Sequence, residues 1–342
     1  MKRNHDARHT EAVLSTNKLA CLTEIADECG VDCRRWFWGL GLSREQVKDA
    51  NVRVSFRQAR LVLKRAMKSL ALANLGLAIG KRQTIGNFGV LGLAMMTART
   101  FGDALAISME NHIVTGSLMD IEFEPISAEE VAIIARPRSH DPDILPFLCE
   151  ELFLSSLILS RNLVGAQFRP LRLELTYPAP EYAAEYASLF QCDVRFGQRD
   201  NRAAIATHWL QTPLPNFNPI SAQLALELCR QQSAAVRHSE IVDSVERLLR
   251  RRLQNNPPLS EIAGELNLTE RTLRRQLTAA GVGFKQLHDR VRAEQARSLL
   301  GSSERTIAEI GNAVGFRDVR EFRRAFKRWT GMPPRAMRVA GG

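Results

Sequence analysis

No stretch of this 342-residue chain is apolar for long enough to cross a bilayer. The greasiest segments, Leu70–Ile79 and Val90–Met96, are short and broken by Asn74, Gly76 and Gly92, against the roughly 20 residues that a spanning helix needs. The opening Met1-Lys-Arg-Asn-His-Asp-Ala-Arg-His9 is polar with nothing apolar behind it. A secretory signal is therefore not expected, and the reading is a cytoplasmic protein with no membrane partner. Cysteine is sparse. The six cysteines form no Cys-x-x-Cys pair and have no histidine at metal spacing; Cys29 and Cys33 come closest. They read as ordinary reduced thiols, and neither a metal nor a cofactor is expected. Gly86-Asn-Phe-Gly-Val-Leu-Gly92 lacks the dinucleotide fingerprint and reads as a turn packed closely on a helix. Only three tyrosines exist, Tyr177, Tyr182 and Tyr186. Asp120, Glu122 and Glu124 alternate as a metal-binding strand face would, but such alternation is the usual pattern of a solvated face. No nucleophile–base pair stands out, so the chain is not read as an enzyme.

What is abundant is arginine, and it is unevenly placed. Of a net charge of +10, residues 238–342 carry +8, from 20 basic and 12 acidic side chains. A basic module joined to a nearly neutral one suggests a nucleic-acid reader attached to a part with another task. The basic module also repeats itself. Leu259-Ser-Glu-Ile-Ala-Gly-Glu-Leu-Asn-Leu-Thr-Glu-Arg-Thr-Leu-Arg-Arg-Gln-Leu277 is echoed by Ile307-Ala-Glu-Ile-Gly-Asn-Ala-Val-Gly-Phe-Arg-Asp-Val-Arg-Glu-Phe-Arg-Arg-Ala-Phe326. Ile262, Leu266 and Leu268 match Ile310, Val314 and Phe316 at a separation of 48, whereas Leu273 and Leu277 match Phe322 and Phe326 at 49. The second turn thus carries one extra residue. Apolar positions at helical spacing on both sides of a short break predict a helix-turn-helix in each copy.

Ahead of this module, residues 1–13 read as a flexible tail and 14–215 as an α+β sensor and dimerisation domain. Helices are predicted over Leu14–Cys29, Val54–Leu75, Ala98–Asn111 (opened near Thr100), Pro142–Ser160 and Glu181–Phe190. Strands are predicted over Leu118–Phe123, Glu130–Ala135, Leu171–Tyr177, Asp193–Phe196 and Arg202–Ala206. Residues 216–237 read as a linker helix region in which Asn218 caps and Pro219 takes the first helical position. The all-α module follows over 238–342, beginning with a helix at Ser239–Leu253.

The paired motif, Gly315 before Phe316, the run Phe322…Ala325-Phe326-Lys327-Arg328 and the closing Gly331-Met-Pro-Pro334 resemble the AraC/XylS family of transcription regulators. More diffusely, Gly89-Val-Leu-Gly92, Thr100-Phe-Gly-Asp-Ala-Leu105 and Phe190-Gln-Cys-Asp-Val-Arg-Phe-Gly197 resemble the arabinose-binding-like sensor domain of the ornithine-utilisation-regulator branch. The resemblance implies two helix-turn-helix units joined by one rigid helix, here Lys285–Leu300, about 24 Å long at 1.5 Å per residue. It also implies an effector-responsive activator on double-stranded promoter DNA, with RNA polymerase and a second copy of the chain as partners. The small-molecule effector is of unknown identity. Arg317, Arg320, Arg323, Gly311 and Met337 depart from the family pattern, with Gly311 expected to weaken its helix by up to ~1 kcal/mol relative to alanine.

Thr269 and Asp318 stand where helix caps are wanted. Opposite Leu273 and Leu277, the outward set is Arg271, Thr272, Arg274 and Arg275; opposite Phe322 and Phe326 it is Val319, Arg320, Arg323 and Arg324. These are the expected base readers, since arginine can bond guanine through two donors. Arg305, Lys327 and Arg328 are the expected phosphate contacts. Asn111, His112 and Thr115, in a polar cluster between a helix and a strand, are the candidate ligand-binding residues of the sensor. Two other readings compete: an architectural DNA-binding protein whose amino-terminal half only oligomerises, and a nucleic-acid enzyme. The second would need a catalytic cluster that the sequence does not display.

Overall fold

The computed structural model describes residues 11–49, 51–111, 116–234, 239–302 and 305–340. The chain forms two units. One takes in the chain up to Trp36 and from Arg44 through the helix ending at Ala234; the other joins Phe37–Ser43 to everything from Glu240 onward.

The first unit begins with a strand, β1 (Ala12–Ser15), and then α1 (Asn17–Glu28); β2 (Arg53–Ser55) pairs antiparallel with β1. The sequence reading put Ala12 and Val13 in a tail and Leu14 and Val54 in helices. Instead Leu14 and Val54 face each other across this two-stranded sheet, both fully buried. Ser55 then starts α2 (Phe56–Leu70): its hydroxyl accepts the Gln58 N–H while the Gln58 side chain accepts the Ser55 N–H, both at 3.0 Å. After α3 (Leu75–Gly80) a single tight turn leads into α4 (Gly89–Met96). A Cβ at Gly92 would lie 2.2 Å from the Ile85 carbonyl oxygen, so Gly92 serves close packing, whereas Gly89 (φ +51°) has open space around it. The next helix, α5 (Phe101–Glu110), is capped by Thr100, whose hydroxyl accepts the Asp103 N–H at 3.1 Å.

A five-stranded sheet completes this unit: β3 (Met119–Pro125), β4 (Glu130–Pro137), β5 (Arg172–Glu174), β6 (Asp193–Arg195) and β7 (Asn201–Ala206), in the order β3-β4-β7-β5-β6. Every neighbouring pair is antiparallel except β5 with β6. Between strands run α6 (Leu145–Val164) and α7 (Ala183–Phe190), and after them α8 (Pro219–Ala234). The Asn218 side chain accepts the Ser221 N–H at 2.9 Å, the cap expected beside Pro219. Buried in α6, the Glu150 carboxylate accepts the hydroxyls of Tyr182 at 2.7 Å and Tyr186 at 2.5 Å; the Tyr177 and Tyr186 hydroxyls lie 3.1 Å apart. All three tyrosines are thereby engaged in one network, and burial pushes the Glu150 pKa up. On the sheet, Arg138 Nε donates to Asp120 at 2.8 Å and Arg136 Nε to Glu122 at 2.9 Å. Among the described residues no group of three or more His, Cys, Asp or Glu side chains is placed to hold a metal ion.

The second unit is helical: α9 (Glu240–Arg251), α10 (Leu259–Glu265), α11 (Glu270–Ala279), α12 (Phe284–Ser302), α13 (Ile307–Ala313), α14 (Val319–Thr330) and α15 (Pro334–Ala340). Its core is a single apolar cluster. Ile262, Leu273 and Leu277 from the first motif and Ile310, Phe322 and Phe326 from the second all join Leu287, Val291, Ala296 and Leu300 of α12. Met337 packs partly against the same cluster. Phe37–Ser43 adds a short loop to this unit, held where Arg247 Nε donates to the Gly41 carbonyl at 3.0 Å.

One side chain makes this core sensitive to acid. His288 on α12 is buried, its Nε2 has no hydrogen-bond partner among the described residues, and its ring lies 5.7 Å from that of Phe284. Desolvation, helped by the charge of Arg292 and opposed by Asp289, lowers its pKa to about 4. A histidine depressed in the folded state contributes stability above its unfolded pKa of about 6.5, and that contribution is lost as the pH falls toward 4. Between pH 7 and pH 5 the expected loss is about 2 kcal/mol. The His288→Leu chain should gain that much relative to wild type over the same interval, read by urea unfolding. Parallel pH dependence of the two chains would contradict this assignment.

Candidate nucleic-acid interface

Each helix-turn-helix is built by a cap, a left-handed turn residue and a buried ridge. In the first, the turn between α10 and α11 spans 266–269; in the second, the turn between α13 and α14 spans 314–318, one residue longer. Asn267 (φ +53°) takes the left-handed position in the first turn and Gly315 (φ +84°) in the second. Only glycine fits the second, because a Cβ there would lie 2.5 Å from the Leu253 carbonyl oxygen. Gly311, read from the sequence as a weakness, sits against Phe322, whose Cγ would be 3.2 Å from an added Cβ. The helix thus gives up propensity at a point where an aromatic ring packs on its backbone.

Thr269 caps α11, its hydroxyl accepting the Thr272 N–H at 3.2 Å, and Asp318 caps α14, accepting the Arg320 N–H at 2.7 Å. With Leu273 and Leu277 buried, α11 turns Arg271, Arg274 and Arg275 to solvent; with Phe322 and Phe326 buried, α14 exposes Arg320, Arg323, Arg324 and Lys327. Thr272 is half-buried and its hydroxyl lies 2.9 Å from that of Thr269, so it serves the cap. Val319 packs partly against the core, leaving less of its surface for a base than the sequence reading assigned. Arg305 is exposed just before Thr306, which begins α13 with a capping box to Glu309. Arg328, in the last turn of α14, approaches Asp289 at 3.6 Å. Of the sensor candidates, Asn111 lines a cavity of the first unit, while His112 and Thr115 lie outside the described residues.

Two groups of arginines in this unit differ in their partners. Arg250 meets Glu294 at 2.5 Å, Arg251 meets Glu265 at 2.7 Å, Arg252 pairs with Glu261 and Glu265, and Arg290 pairs with Glu246. By contrast, Arg271, Arg275, Arg320, Arg323, Arg324 and Lys327 have no carboxylate partner among the described residues, and Arg274 only a loose one, Glu270 at 3.9 Å. Cations left unpaired on the outer faces of two capped helices form a surface suited to anionic phosphates and to the acceptor edges of bases.

Sequence reasoning missed Arg292. Periodicity places a charged residue outward, yet Arg292 is half-buried on α12, with one guanidinium N–H donating to Asn256 Oδ1 at 2.7 Å and its Cζ 4.7 Å from the centre of the Phe316 ring. Burial pulls its pKa down. The plane of the guanidinium thus holds the second turn, with Gly315 and Phe316, against the linking helix.

Two capped recognition helices sharing one core, each with an unpaired basic face, define a double helix-turn-helix DNA-binding protein. The helix-turn-helix domain description of known families matches residues 262–340, and the description "arabinose-binding domain of AraC transcription regulator, N-term" matches residues 30–214. The chain belongs to the AraC family and is a DNA-binding transcription regulator. It is 28% identical over 322 residues to the ornithine utilization regulator of Pseudomonas aeruginosa, covering 93% of this chain and 94% of that one. It is 27% identical over 267 residues to the regulator VqsM of the same species, covering 75% and 81%. Among solved structures, the transcriptional regulator CdpR from Pseudomonas aeruginosa aligns with a TM-score of 0.49 and 23% identity over 94% of this chain and 98% of that one.

Replacing Arg292 by alanine removes a charged hydrogen bond and a cation–π contact, together worth about 2 kcal/mol. The Arg292→Ala chain is expected to melt several degrees lower and to bind DNA more weakly. Lysine should not restore either property, because it lacks the planar fork. Full recovery with Arg292→Lys would show that charge alone matters there.

Proposed function

We propose that this chain is an effector-responsive transcription activator that binds double-stranded promoter DNA as a homodimer and acts on RNA polymerase. The observation that carries the DNA-reading part is the arginine face on α11 and α14 that lacks close carboxylate partners, in a unit where Arg250, Arg251, Arg252 and Arg290 pair with glutamates. Arg271, Arg274 and Arg275 read base edges in one stretch of major groove, with Thr272 beside them. Arg320, Arg323 and Arg324, flanked by Val319, read a second stretch. Lys327, Arg328 and Arg305 hold phosphates. The linking helix α12, 19 residues and so about 28 Å long, sets the two readers apart on the scale of one DNA turn, ~34 Å. The first unit senses a small molecule. The name of the ornithine relative supports an effector of the amino-acid class. No catalytic activity is assigned to the chain, and its place is the cytoplasm.

Dimerisation is assigned to α8. Ile220 (79% exposed) and Leu224 (61% exposed) lie one turn apart on its outer face, with Leu228 a further turn along and Phe217 just before the helix. Glu227 lies on the same face, beside Leu228, and exposed apolar patches of this kind mark association sites. Leu224→Glu combined with Ile220→Glu is expected to convert a dimer to a monomer in sedimentation. An unchanged sedimentation profile would move the interface elsewhere.

DNA binding should weaken steeply with salt, with a slope of about −0.9 per phosphate neutralised in log K against log salt. Lys327→Ala should weaken binding to selected and random DNA by the same factor. Arg274→Ala and Arg324→Ala should each cost ~1–3 kcal/mol on the selected site and relax preference at particular base pairs. Equal losses on both DNAs for all three variants would overturn the division into base and phosphate readers.

A further inference from the structure

The turns of the two helix-turn-helix motifs are gripped at the same position by different parts of the chain. In the second motif Gly315 takes the left-handed place, against the Leu253 carbonyl, Arg292 and Asn256. In the first motif that place belongs to Asn267, and its side chain meets the loop Phe37–Ser43. A Cβ at Gly39 would lie 2.3 Å from Asn267 Nδ2. A Cβ at Gly41 would lie 2.8 Å from Ser244 Cβ and 3.1 Å from Leu266 Cδ2. Both glycines have positive φ, +73° and +61°, so the loop lays bare backbone directly on the turn.

Within the loop, Phe37, Leu40 and Leu42 are buried. On α9, Ser244 Oγ donates to the Leu40 carbonyl at 3.5 Å and Arg247 Nε to the Gly41 carbonyl at 3.0 Å, while Arg247 Nη2 donates to Ser244 Oγ at 3.1 Å. One turn of α9 thus offers donors to two consecutive carbonyls of the loop. The residues flanking the loop are fixed in the first unit. The Trp36 indole N–H donates to Ser69 Oγ at 2.7 Å and Arg65 donates to the Trp36 carbonyl at 2.8 Å, both on α2, and Arg44 pairs with Asp27 of α1. α11 begins at the Thr269 cap, two residues after Asn267. With 7 and 10 residues, α10 and α11 are too short to hold their direction unaided, and a looseness of about 1 Å in the supporting residues is enough to spoil a reading geometry. We infer that Phe37–Ser43 positions the first recognition helix and not the second, so that the base preference of α11 depends on a segment supplied by the amino-terminal part of the chain. This rests on the reading of α11 and α14 as separate base readers.

Two variants of the full chain test this. Gly41→Val sets a side chain against Ser244 and Leu266, and Arg247→Met removes the donor to the Gly41 carbonyl while keeping an apolar stem. Thermal melting shows whether each variant folds, and if one does not, the other carries the test. Hydrogen–deuterium exchange without DNA should rise at least ~10-fold over 266–279 and stay unchanged over 314–330. On the selected DNA site randomised one base pair at a time, the variants should lose about 10-fold of discrimination, the scale of one bidentate contact, at the base pairs that Arg274→Ala relaxes. At those that Arg324→Ala relaxes they should lose none. Equal losses at both sets, equal rises in exchange over both segments, or neither quantity altered in a folded variant would overturn the assignment of this loop to the first reader. If Arg274→Ala and Arg324→Ala relax no particular base pairs, the division into two base readers fails instead, and exchange alone decides whether the loop holds the first turn.

Discussion

Neither helix-turn-helix of this chain can bury its own apolar ridge, and the architecture of the second unit follows from that deficit. A pair of helices of 7 and 10 residues, such as α10 and α11, offers one face of Leu and Ile and nothing to close it. The solution is a shared partner. α12 supplies Leu287, Val291, Ala296 and Leu300 to a cluster that joins the ridges of both motifs, so each reader is held by the helix that connects it to the other. Spacing between the readers is then a property of one rigid element, and short helices that would be marginal alone are fixed by packing. Arg292 and Gly315 refine the same joint from its polar side, the first by stacking on Phe316 and the second by letting the backbone pass the Leu253 carbonyl.

This unit was legible in the sequence because each of its constraints leaves a local mark. A ridge at helical spacing, a Thr or Asp before it and a glycine in the turn are all readable one residue at a time. The repeat, with its one-residue insertion, tested each reading against its copy, and the observed turns of 266–269 and 314–318 have that difference in length. The first unit was less open to such reading. β1 and β2 are four and three residues long, too short for a period of two to separate from chance. Leu14 and Val54 join residues 40 positions apart, and the pairing that makes them strands is not a local property. Polar residues with interior roles were missed for the same reason. His288 is buried and Arg292 half-buried by tertiary contacts, and the Thr272 hydroxyl lies 2.9 Å from that of Thr269, three residues away.

Groups that suggested catalysis in the sequence are occupied in the structure. Every tyrosine hydroxyl belongs to the Glu150 network, and Asp120 and Glu122 of β3 meet Arg138 and Arg136. The two faces of α8, by contrast, differ in burial. Ala225 and Cys229 turn inward, the latter onto the cavity, while Ile220 and Leu224 stand on the opposite side.

The extra residue in the second turn carries a consequence for the DNA. With different turn lengths and different outward side chains on α11 and α14, the two readers of one chain are not copies. A stretch of duplex read by both therefore has a head and a tail, and inverting it presents each helix with the other's bases. A single copy bound through both helices would lie on DNA as an arrow. A site turned around would then be a different address.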